Sequence, residues 1–418
     1  MSKLKPPPLQ NDCFAMPPGV DWTPVDDALA RLRDRLHRVV EVETLPVSGA
    51  GGRVLAEDTA AVRSHPPAAN SAVDGYGFAH AATGSGDQTL PLIRGRAAAG
   101  VPFRDAVPAG QAIRILTGAI LPQGVDTVVL EEDCATDDSH IAFRGPIKPG
   151  ANTRAAGEDL AAGDVALKSG TRLSPGALAT LAATGVTEVC VYCPLRVGVL
   201  STGDEIITPG SSDDPARTYD ANRPMLLDLL RGWGMVAVDL GHVGDDQVAL
   251  STRLDQAADD CDAVLTSGGA SAGDEDHVAA LLETAGTRAD WRIALKPGRP
   301  LVLGLWRETP VFGLPGNPVA ALVCTLIFAR PAFGVLGGEG WKAPQAFAVP
   351  AAFTKSKKPG RREYLRARLR DGAAEVFASE GSGRVSGLAW AEGLVELPDE
   401  AAEIAPGTLV RYLPFAGF

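Results

Sequence analysis

The stretch Thr266–Asp276, TSGGASAGDED, combines residue types that suit both a phosphate and a divalent cation. It follows an apolar run at 263–265 and precedes a helix-like pattern that begins near His277. Backbone N–H groups of a small-residue loop and the N-terminus of the next helix attract phosphate or another oxyanion. The acidic residues at 274–276 would repel phosphate, but they are ligands that a hard divalent cation prefers. We therefore expect a phosphate-bearing ligand together with a metal ion.

Further clusters place glycine or proline beside a polar or charged residue. They are Ser201-Thr202-Gly203-Asp204-Glu205, Asp245-Asp246, Lys296-Pro297-Gly298-Arg299-Pro300 and Leu314-Pro315-Gly316-Asn317-Pro318. The carboxylates expected around one cation are those of Glu205, of Asp245 or Asp246, and of Asp276. Lys296 and Arg299 would hold anionic oxygens. Each cluster alone also has a structural explanation, because an Asp or Asn before a helix, such as Asp246 or Asn317, is often its N-cap.

The elements that must position these clusters follow one rhythm from Leu195 onward, where strand-like apolar runs alternate with helix-like patterns. We predict strands at 196–200, 236–238, 263–265, 301–303 and 311–314, and helices at 224–231, 247–258 and after Asn317. This alternation predicts a doubly wound α/β sheet with helices on both faces. Ligands of such sheets bind beyond the carboxyl ends of the strands, where the clusters lie.

The remaining sequence predicts a multidomain α/β protein. The expected regions are a flexible Pro-rich arm at 1–19, a helical and mixed region at 20–62 and 151–193, an inserted β domain at 63–150, the α/β domain at 194–341 and a C-terminal β domain at 342–418. The inserted region is expected to be β because its short apolar runs are interrupted by glycine and proline.

Local signals fix several details of these regions. Thr23 is expected to be the N-cap, and Pro24 the first residue, of one helix; Ser174-Pro175 starts another, which ends before Gly185. In the C-terminal domain, the alternation at 364–369 predicts that its leucines and Ala367 point inward and that its two arginines, Arg366 and Arg368, point outward.

Composition excludes several classes of protein. The chain has 418 residues, a formal net charge of −12 and 45% hydrophobic residues, which suits a globular protein of several domains and argues against a nucleic-acid or acidic-membrane surface. No secretory signal is apparent in the first twenty residues. The longest apolar run, at 319–329, is shorter than the roughly 20 residues of a membrane span. We expect a cytoplasmic protein without a membrane partner.

Neither the cysteines nor the histidines indicate a metal site. Six cysteines in this length form no disulfide framework, and Cys190 and Cys193 lie on a predicted strand, where residues three apart point to opposite faces. We interpret this C-x-x-C pair as structural. Six scattered histidines and the absence of an H-E-x-x-H motif argue against a zinc hydrolase or a His-based triad.

Two clusters in the N-terminal half are weak when taken alone. Asn70-Ser71-Ala72-Val73-Asp74-Gly75-Tyr76 places an acid in a turn, and Leu116-Thr117-Gly118-Ala119 places a hydroxyl in one. Because turns are rich in Asp, Ser, Thr and Gly, neither cluster by itself indicates a site.

Taken in order, however, these clusters resemble the motifs of the molybdopterin molybdenumtransferase family, which includes MoeA and the E domain of gephyrin. The matching segments are 70–76, 116–122, 152–159 (NTRAAGED), 201–205, 267–276, 296–300, 314–318 and 360–366 (GRREYLR). The resemblance covers nearly the whole chain from about residue 20. The departures are small: Val73 replaces the family's usual Met, Gly77 its Ala, Arg299 its frequent Lys, and Glu392 its common Asn.

The resemblance implies an elongated cytoplasmic homodimer that inserts molybdenum from molybdate into adenylylated molybdopterin. It implies hydrolysis of the phosphoanhydride with Mg²⁺, which releases AMP and the molybdenum cofactor. It also implies transient contacts with the molybdopterin adenylyltransferase and with proteins that mature molybdoenzymes. Whether molybdate or tungstate is preferred is left open, because both are tetrahedral dianions of nearly equal size.

The resemblance also assigns roles to residues. Asp74, Thr117 and Asp159 would reach the active site from the partner subunit, and Asp276 is the acid of its loop that the family spacing assigns to the metal. The expected catalytic set is Asp74, Thr117, Asp159, Glu205, Asp245, Asp246 and Asp276. The expected substrate-binding set is Ser201, Thr202, Gly203, Asp204, Ser267, Gly268, Gly269, Ser271, Gly273, Lys296, Gly298, Arg299, Pro315, Gly316, Asn317 and Pro318.

Two other functions are compatible with the α/β clusters. The chain could bind molybdopterin as a carrier or scaffold without catalysis, as one branch of the family anchors receptors. Alternatively, the α/β domain could act alone, as in molybdopterin adenylyltransferases or competence-damage-type amidohydrolases. The presence of all the carboxylates argues against the first function, and the Asp74 and Thr117 region with the β tail argues against the second.

Overall fold

The computed structural model describes residues 22–269, 277–298 and 300–418. The chain forms two compact units, one made of residues 42–191 and the other of the residues before 42 and after 191. The predicted Pro-rich arm at 1–19 lies outside the described residues.

Helix α1 (Val25–Arg35) is the first described helix, and it begins one residue later than predicted. Pro24 occupies the N-cap position and the helix has no side-chain cap. Thr23 instead forms a β-bridge with Ile293, and its carbonyl accepts a hydrogen bond from the Ala294 N–H at 2.9 Å. The prediction that Thr23 caps this helix is therefore wrong, because its backbone is extended and paired elsewhere.

The unit 42–191 is built mainly from short strands. These are β1 (Val42–Pro46), β2 (Thr59–Ala60), β3 (Asn70–Ser71), β4 (Gly75–Phe78), β5 (Gly86–Ala97), β6 (Ala112–Ile115), β7 (Thr127–Leu130), β8 (Ala135–Thr136), β9 (His140–Gly145), β10 (Thr153–Arg154), β11 (Val165–Leu167) and β12 (Glu188–Tyr192). The unit also contains helix α2 (Pro175–Ala183) and 3₁₀ turns at Val47–Gly49, His80–Ala82 and Glu131–Asp133.

The largest sheet of this unit lies within the region predicted to be β. Its strand order is β7-β4-β6-β5-β9-β8. On one face Phe78 stacks on Phe143, with ring centroids 5.1 Å apart, beside the fully buried Ile141. The register pairs Gly75 of β4 with Ile115 of β6, so the turn before β4 and the turn after β6 lie side by side.

Helix α2 packs with the smaller strand pairs of the unit. Leu181 on this helix is fully buried in a cluster with Leu55 and Val191. The predicted start is confirmed, since the Ser174 hydroxyl accepts a hydrogen bond from the Ala177 N–H at 3.2 Å. The helix ends at Ala183, before Gly185, as expected.

The second unit contains the predicted α/β domain. Its strands are β13 (Arg196–Thr202), β14 (Ile206–Ile207), β15 (Thr218–Tyr219), β16 (Val236–Val243), β17 (Ala263–Ser267), β18 (Thr287–Arg292), β19 (Leu295–Lys296), β20 (Pro300–Trp306) and β21 (Thr309–Leu314). Its helices are α3 (Asn222–Gly232), α4 (Gln247–Asp260), α5 (His277–Thr284), α6 (Pro318–Cys324), a π-helical turn at Thr325–Ala329 and α7 (Arg330–Leu336).

The main sheet of this domain has the order β16-β13-β17-β21-β20-β18 and helices on both faces. Strands β16, β13, β17 and β21 are parallel. Neighbouring residues of β17 face opposite cores: Leu265 packs in the cluster of α3, α6 and α7, and Val264 in that of α4 and α5. The doubly wound arrangement predicted from the sequence is confirmed.

The last predicted strands form a hairpin instead of continuing the parallel order. Strands β20 and β21 are antiparallel, with Val302 opposite Gly313. Arg307 and Glu308 between them have φ angles of 47° and 70°, which fits the two-residue turn of a right-twisted hairpin. Because the hairpin folds back, residues 296–300 and 314–318 lie at the same edge of the sheet. The topology differs from the expectation, but the shared edge is preserved.

The apolar helix after Asn317 is longer than the run seen in the sequence. It continues through the π-helical turn to Leu336, and an 18-residue window of its 19 residues has a mean hydropathy of 2.0, long and apolar enough to cross a membrane by length and composition alone. In the folded chain 89% of this stretch is buried, so it is the core helix of the α/β domain. Phe312 and Phe333 meet there edge to face, with centroids 5.3 Å apart.

The C-terminal part of this unit is a second sheet with the order β19-β24-β26-β28-β22. Its elements are β22 (Phe347–Pro350), β23 (Lys355–Lys357), β24 (Arg362–Arg370), β25 (Ala373–Val376), α8 (Ser386–Trp390), β26 (Gly393–Leu397), β27 (Ala402–Ile404), β28 (Leu409–Pro414) and a 3₁₀ turn at Phe415–Gly417. Strand β19 comes directly before the β20–β21 hairpin and pairs with β24, so it connects this sheet to the α/β domain.

Arg366 lies on the face of β24 opposite Leu365 and Ala367, as predicted, but this face is not open to solvent. Its side chain is only 4% exposed, because the segment after β25 covers the second face of β24. Its guanidinium donates hydrogen bonds to the carbonyl oxygens of Ser379, Gly381 and Arg384. Arg368 is half-buried over the Trp390 ring, with Cζ 4.4 Å from the ring centroid. Both faces of β24 are therefore covered.

The cap of α2 provides a stability test. We expect Ser174→Ala to lower the free energy of unfolding by about 1 kcal/mol, because it removes the acceptor of the Ala177 N–H. The control, Ser169→Ala, changes an exposed serine of the same unit that bonds Asp58 through its backbone N–H. Urea unfolding should show a change within about 0.5 kcal/mol for this control. Equal losses for the two variants would contradict the assigned cap.

Candidate functional site

A cavity of about 450 Å³ lies at the carboxyl edge of the α/β sheet. Strands β13, β17 and β21 are neighbours in the sheet and end there. Of the residues expected to form a site, those lining the cavity are Ser201, Thr202, Glu205, Ser267, Gly268, Gly316, Asn317 and Pro318. The chain thus changes from buried apolar strand to small and polar loop at one edge, as predicted.

The loop after β13 folds tightly around Glu205. Gly203 has a φ of 123°, and a Cβ atom there would approach Glu205 Oε2 to 2.5 Å. The Gly203 carbonyl oxygen lies 2.7 Å from His242 Nε2, so that nitrogen carries the proton that is donated. Glycine at 203 lets the Glu205 carboxylate lie back over its own loop at the cavity wall.

Asp204 and Asp245 are tied to each other. The Asp204 carboxylate accepts a hydrogen bond from the Asp245 N–H at 2.9 Å, and the Asp245 carboxylate accepts one from the Asp204 N–H at 3.1 Å. Arg217 also donates to the Asp204 carbonyl oxygen. This reciprocal pair joins the loops that follow β13 and β16, so both carboxylates have a structural role in addition to any ligand they bind.

Asp246 and Asn317, which could each be simply the N-cap of a helix, differ in the structure. Asp246 caps α4, since its Oδ1 accepts hydrogen bonds from the Val248 and Ala249 N–H groups at 2.8 and 3.1 Å. Asn317 occupies the N-cap position of α6 without a side-chain cap hydrogen bond, and it lines the cavity. The N-cap explanation is confirmed for Asp246, whereas Asn317 remains a candidate for ligand contact.

The four predicted metal ligands do not form one cluster in the described part of the chain. Glu205 lines the cavity, Asp245 is paired with Asp204, and Asp246 caps α4. Asp276 lies outside the described residues. Within residues 22–269, 277–298 and 300–418, no group of three or more His, Cys, Asp and Glu side chains is placed to hold a metal ion.

The start of the glycine loop after β17 is held close to the strand ends. Gly268 and Gly269 have φ angles of 100° and 66°, and a Cβ at Gly268 would approach the Thr202 carbonyl oxygen to 2.7 Å. The Gly268 N–H donates to the Leu314 carbonyl oxygen at 3.2 Å, so this amide of the expected anion cradle binds protein. Ser271 and Gly273 lie outside the described residues.

Asp220 and Asn222 are site residues that the sequence analysis missed. Both line the cavity, and both are at most 6% exposed. Asp220 accepts hydrogen bonds from the Ser201 hydroxyl at 2.6 Å and the Arg223 N–H at 3.0 Å. Asn222 Nδ2 donates to Ser267 Oγ and to the Gly316 carbonyl oxygen, each at 2.7 Å. The sequence signal for Asp220 and Asn222 was a carboxylate and an amide side chain just before a predicted helix. Many ordinary helices begin with the same residue types, so this signal did not indicate a site.

Lys296 belongs to an ion-pair network beside this edge. Its Nζ lies 2.7 Å from Glu380 and 3.5 Å from Glu363, and Lys355 pairs with the same two glutamates. Burial of the Glu380 carboxyl acts to raise its pKa. Hydrogen bonds from Lys296 and Lys355 outweigh this effect and hold the pKa of Glu380 below its usual value. A cavity of about 170 Å³ lies here, lined by Lys296, Lys355, Arg366 and Glu380 among others.

The other predicted residues of the 296–300 and 314–318 clusters either pack within the fold or lie outside the described residues. Gly298 has a φ of 115° and abuts α6, where an added Cβ would approach Cys324 Sγ to 2.5 Å. Pro315 is buried at the end of β21. Arg299 lies outside the described residues.

In the unit 42–191, Asp74 and Thr117 are in direct contact. Asp74 Oδ1 accepts hydrogen bonds from the Thr117 N–H at 2.6 Å and from its hydroxyl at 2.7 Å. These bonds lower the pKa of the exposed Asp74 carboxyl. Asp159 is also exposed, and its backbone N–H donates to the His65 carbonyl oxygen at 3.2 Å. Two turns that were weak signals in the sequence are therefore one constellation in the fold.

The cysteines described by the structure are not joined to one another by disulfide bonds. They are Cys134, Cys190, Cys193, Cys261 and Cys324. Cys190 lies on β12 and Cys193 follows it, and neither belongs to a metal-binding group among the described residues.

The sequence matches three family models that together span most of the chain. Residues 23–185 match the model described as MoeA N-terminal region (domain I and II). Residues 198–334 match that of a probable molybdopterin binding domain, and residues 348–415 match the MoeA C-terminal region (domain IV). The cavity at the ends of β13, β17 and β21 is built largely from residues of the second match.

Relatives and solved structures extend along the same length. A molybdopterin molybdenumtransferase of Haemophilus influenzae is 35% identical over 399 residues, covering 94% of this chain and 98% of the relative. Molybdopterin molybdenumtransferase 2 of Mycobacterium tuberculosis is 33% identical and covers 91% and 97%. The crystal structure of the molybdopterin biosynthesis protein MoeA from Pyrococcus horikoshii OT3 superposes with a TM-score of 0.83 at 27% identity, covering 94% of this chain and all of that one.

The ion pairs of Glu380 provide a test by pH. A carboxyl whose pKa is lowered by folding stabilises the protein fully above its unfolded pKa and loses this contribution as pH falls. Glu380→Gln should therefore be less stable than the unchanged protein at pH 7, and the difference should shrink below about pH 4.5, the usual pKa of this carboxyl. Unfolding free energies measured between pH 3 and 7 check this, and a difference that does not vary with pH would refute it.

Proposed function

The chain belongs to the MoeA family of molybdopterin molybdenumtransferases, and from this premise we propose that it inserts molybdenum from molybdate into adenylylated molybdopterin and releases AMP. As a member of this family it is a transferase of molybdenum cofactor biosynthesis. The reaction proposed here specifies the molybdenum source, the adenylylated form of the pterin and the leaving group.

The observation that carries the proposal is the cavity at the carboxyl ends of β13, β17 and β21. Doubly wound sheets bind their ligands at this edge. Glu205, Ser267 and Gly268 all line this cavity. One part of its wall therefore offers a carboxylate, and another part offers a hydroxyl and backbone groups. A substrate with a phosphoanhydride between two organic groups would use both kinds of wall.

Glu205 is the residue for which we propose a role at the reacting phosphate. Its carboxylate would orient the attacking water and accept its proton, which is the usual task of a base beside a phosphoryl centre. The tight turn at Gly203 keeps this carboxylate at the cavity wall, so little reorganisation is needed when the substrate binds.

We also propose that Mg²⁺ takes part. Proteins usually hold this ion through one or two carboxylates together with substrate phosphates, and the donor set of Glu205, with Asp245, Asp246 or Asp276, suits that mode. When bound, the ion would neutralise charge on the phosphate oxygens. The reciprocal bonds between Asp204 and Asp245 would hold one such carboxylate in place.

We assign Lys296 and Arg299 to the neutralisation of oxyanions, either phosphate or molybdate. In the folded chain the Lys296 ammonium is fixed between Glu363 and Glu380. An incoming oxyanion would therefore compete with two carboxylates for this ammonium. Because this ion-pair network contains charges of both signs, an oxyanion can bind to it or leave it without leaving a buried charge of the network unpaired.

We propose further that the active enzyme is a homodimer. Asp74, Thr117 and Asp159 would complete the site of the partner subunit, as the family resemblance implies. The two hydrogen bonds from Thr117 fix the orientation of the exposed Asp74 carboxylate, which is the preparation that a contributed residue needs. We place the enzyme in the cytoplasm, where its free thiols would persist, with molybdopterin adenylyltransferase and molybdoenzyme-maturation proteins as transient partners.

The direct test is release of AMP. Purified protein is incubated with adenylylated molybdopterin, Mg²⁺ and molybdate, and AMP and molybdenum cofactor are quantified; tungstate replaces molybdate in a parallel series. Glu205→Gln should lower the rate by about 10²- to 10⁴-fold, the usual contribution of a general base, while AMP affinity stays within a few-fold. The control Glu400→Gln, at an exposed glutamate, should retain the full rate.

One other outcome would exclude the proposed reaction, and another would exclude only the role of Glu205. A carrier would bind the substrate and release no AMP in the presence of either oxyanion. An unchanged rate in Glu205→Gln would remove the assignment of that residue alone.

The contribution of Asp74 across subunits is tested by mixing variants. Asp74→Asn and Glu205→Gln should each be nearly inactive, but coexpression should restore about a quarter of the activity, because half of the dimers then contain one intact site. Measured AMP release from the separated mixed dimer checks this. If the mixed dimer is as inactive as its parents, Asp74 and Glu205 serve a site within the same subunit, whereas full activity of Asp74→Asn by itself would show that Asp74 has no role.

A further inference from the structure

The contact between Asp74 and Thr117 lies beside a second charged pair, Arg114 and Glu131. Strand order brings the two pairs together, because β4 lies between β6 and β7 in the sheet. Arg114 on β6 is opposite Tyr76 on β4, and Glu131 directly follows the end of β7. The Glu131 N–H donates to the Asp74 carbonyl oxygen at 3.2 Å. Asp74 is therefore presented at a corner of the sheet where one positive and two negative side chains meet.

Arg114 is held by Glu131 and Tyr76. Its Nη2 lies 2.5 Å from Glu131 Oε2, and its Nη1 donates to the Tyr76 hydroxyl at 3.1 Å. Its Cζ lies 5.1 Å from the centroid of the Tyr76 ring, a distance at which an aromatic ring attracts a guanidinium. Because Tyr76 is buried, it offers a fixed anchor. The two contacts keep the guanidinium on the side of Glu131.

The Arg114 guanidinium also acts on Asp74. After the hydrogen bonds from Thr117, the positive charge of Arg114 contributes to the lowered pKa of the Asp74 carboxyl. For Glu131, the hydrogen bond from Arg114 lowers the pKa, and the negative charge of Asp74 acts to raise it. Arg114 therefore acts on two carboxylates that repel each other, and it is hydrogen-bonded to Glu131.

Asp74 has one oxygen that its contact with Thr117 does not use. Both hydrogen bonds from Thr117 go to Oδ1, so Oδ2 carries neither of them. A guanidinium has five N–H donors in a rigid fork, and a carboxylate can accept two of them at once. Once released from Glu131, Arg114 would therefore compete for Asp74 Oδ2.

We propose that Glu131 is a positioning residue that holds Arg114 away from Asp74, so that Asp74 Oδ2 stays available to the active site. The inference rests on the proposed function, in which Asp74 completes the site of the partner subunit. It deepens that function, because it identifies what keeps the contributed carboxylate free. Arg114 then supports the ionised form of Asp74 through its charge without occupying Oδ2.

The experiment applies the AMP-release assay to the full chain. The variants are Glu131→Ala, which releases Arg114, Arg114→Gln, which removes the charge and nearly keeps the length of the side chain, and the double variant. Glu132→Ala, at the adjacent exposed glutamate, is the matched control. Thermal unfolding shows that each variant is folded, and Glu131→Ser replaces Glu131→Ala if that variant is not. A crystal structure of the Glu131 variant supplies a readout besides activity.

Glu131→Ala should lower the rate about fivefold, because an arginine–carboxylate pair near the upper end of the strength of exposed pairs must break before Asp74 serves the site. Arg114→Gln should stay within about twofold of the unchanged protein, since Thr117 still orients Asp74. The double variant should recover to within about twofold as well, because no guanidinium remains to be held away. In crystals of Glu131→Ala, the Arg114 guanidinium should lie within hydrogen-bond distance of the Asp74 carboxylate. Glu132→Ala should retain the full rate.

A merely structural role of Glu131 would leave the double variant at least as slow as Glu131→Ala, and that result overturns the proposal. An unchanged rate in Glu131→Ala, or a crystal structure of this variant in which Arg114 is turned away from Asp74, overturns it too. These outcomes leave the proposed function standing. Absence of AMP release from the unchanged protein refutes the proposed function instead, and full activity of Asp74→Asn refutes the role of Asp74 together with this inference.

Discussion

The cavity depends on how the ends of three buried parallel strands are held together. Strands β13, β17 and β21 end side by side, and one crossing segment binds polar groups at their ends. Residues 220–222 provide that segment, because Asp220 binds the Ser201 hydroxyl and Asn222 binds Ser267 and Gly316. The glycines at 203 and 268 are required next to it, since a side chain there would collide with Glu205 or Thr202.

The charges of the protein are organised around this edge. The chain carries a net charge of −12, so an anionic substrate gains nothing from the overall field and depends on local groups. Lys296 and Lys355 supply positive charge, but they are neutralised by Glu363 and Glu380 in the folded chain. Beside them, the main cavity has acidic and neutral walls.

Much of this arrangement could be predicted from the sequence, and the failures have identifiable causes. The doubly wound sheet and the start of α2 were predicted correctly, and Glu205, Ser267 and Asn317 line a cavity at the predicted edge of the sheet. Thr23 was wrongly predicted as a cap because a β-bridge to Ile293 makes its backbone extended. Arg366 lies on the predicted face of its strand but is buried, because a segment beyond β25 covers that face. Local patterns do not contain such long-range contacts.

The sequence by itself determined the elements, because hydrophobic period, caps and turn residues act over a few neighbouring positions. It also placed small and polar residues after each strand, and so specified which edge of the sheet would be functional. Only the tertiary structure decided which of those residues meet. Asp74 joins Thr117 through strand register, Asp246 is used as a cap, and Asn222 reaches two strand ends at once. These outcomes depend on contacts between residues 40 or more positions apart, which one-dimensional spacing leaves undetermined, or on competition between local roles that only the packed fold resolves.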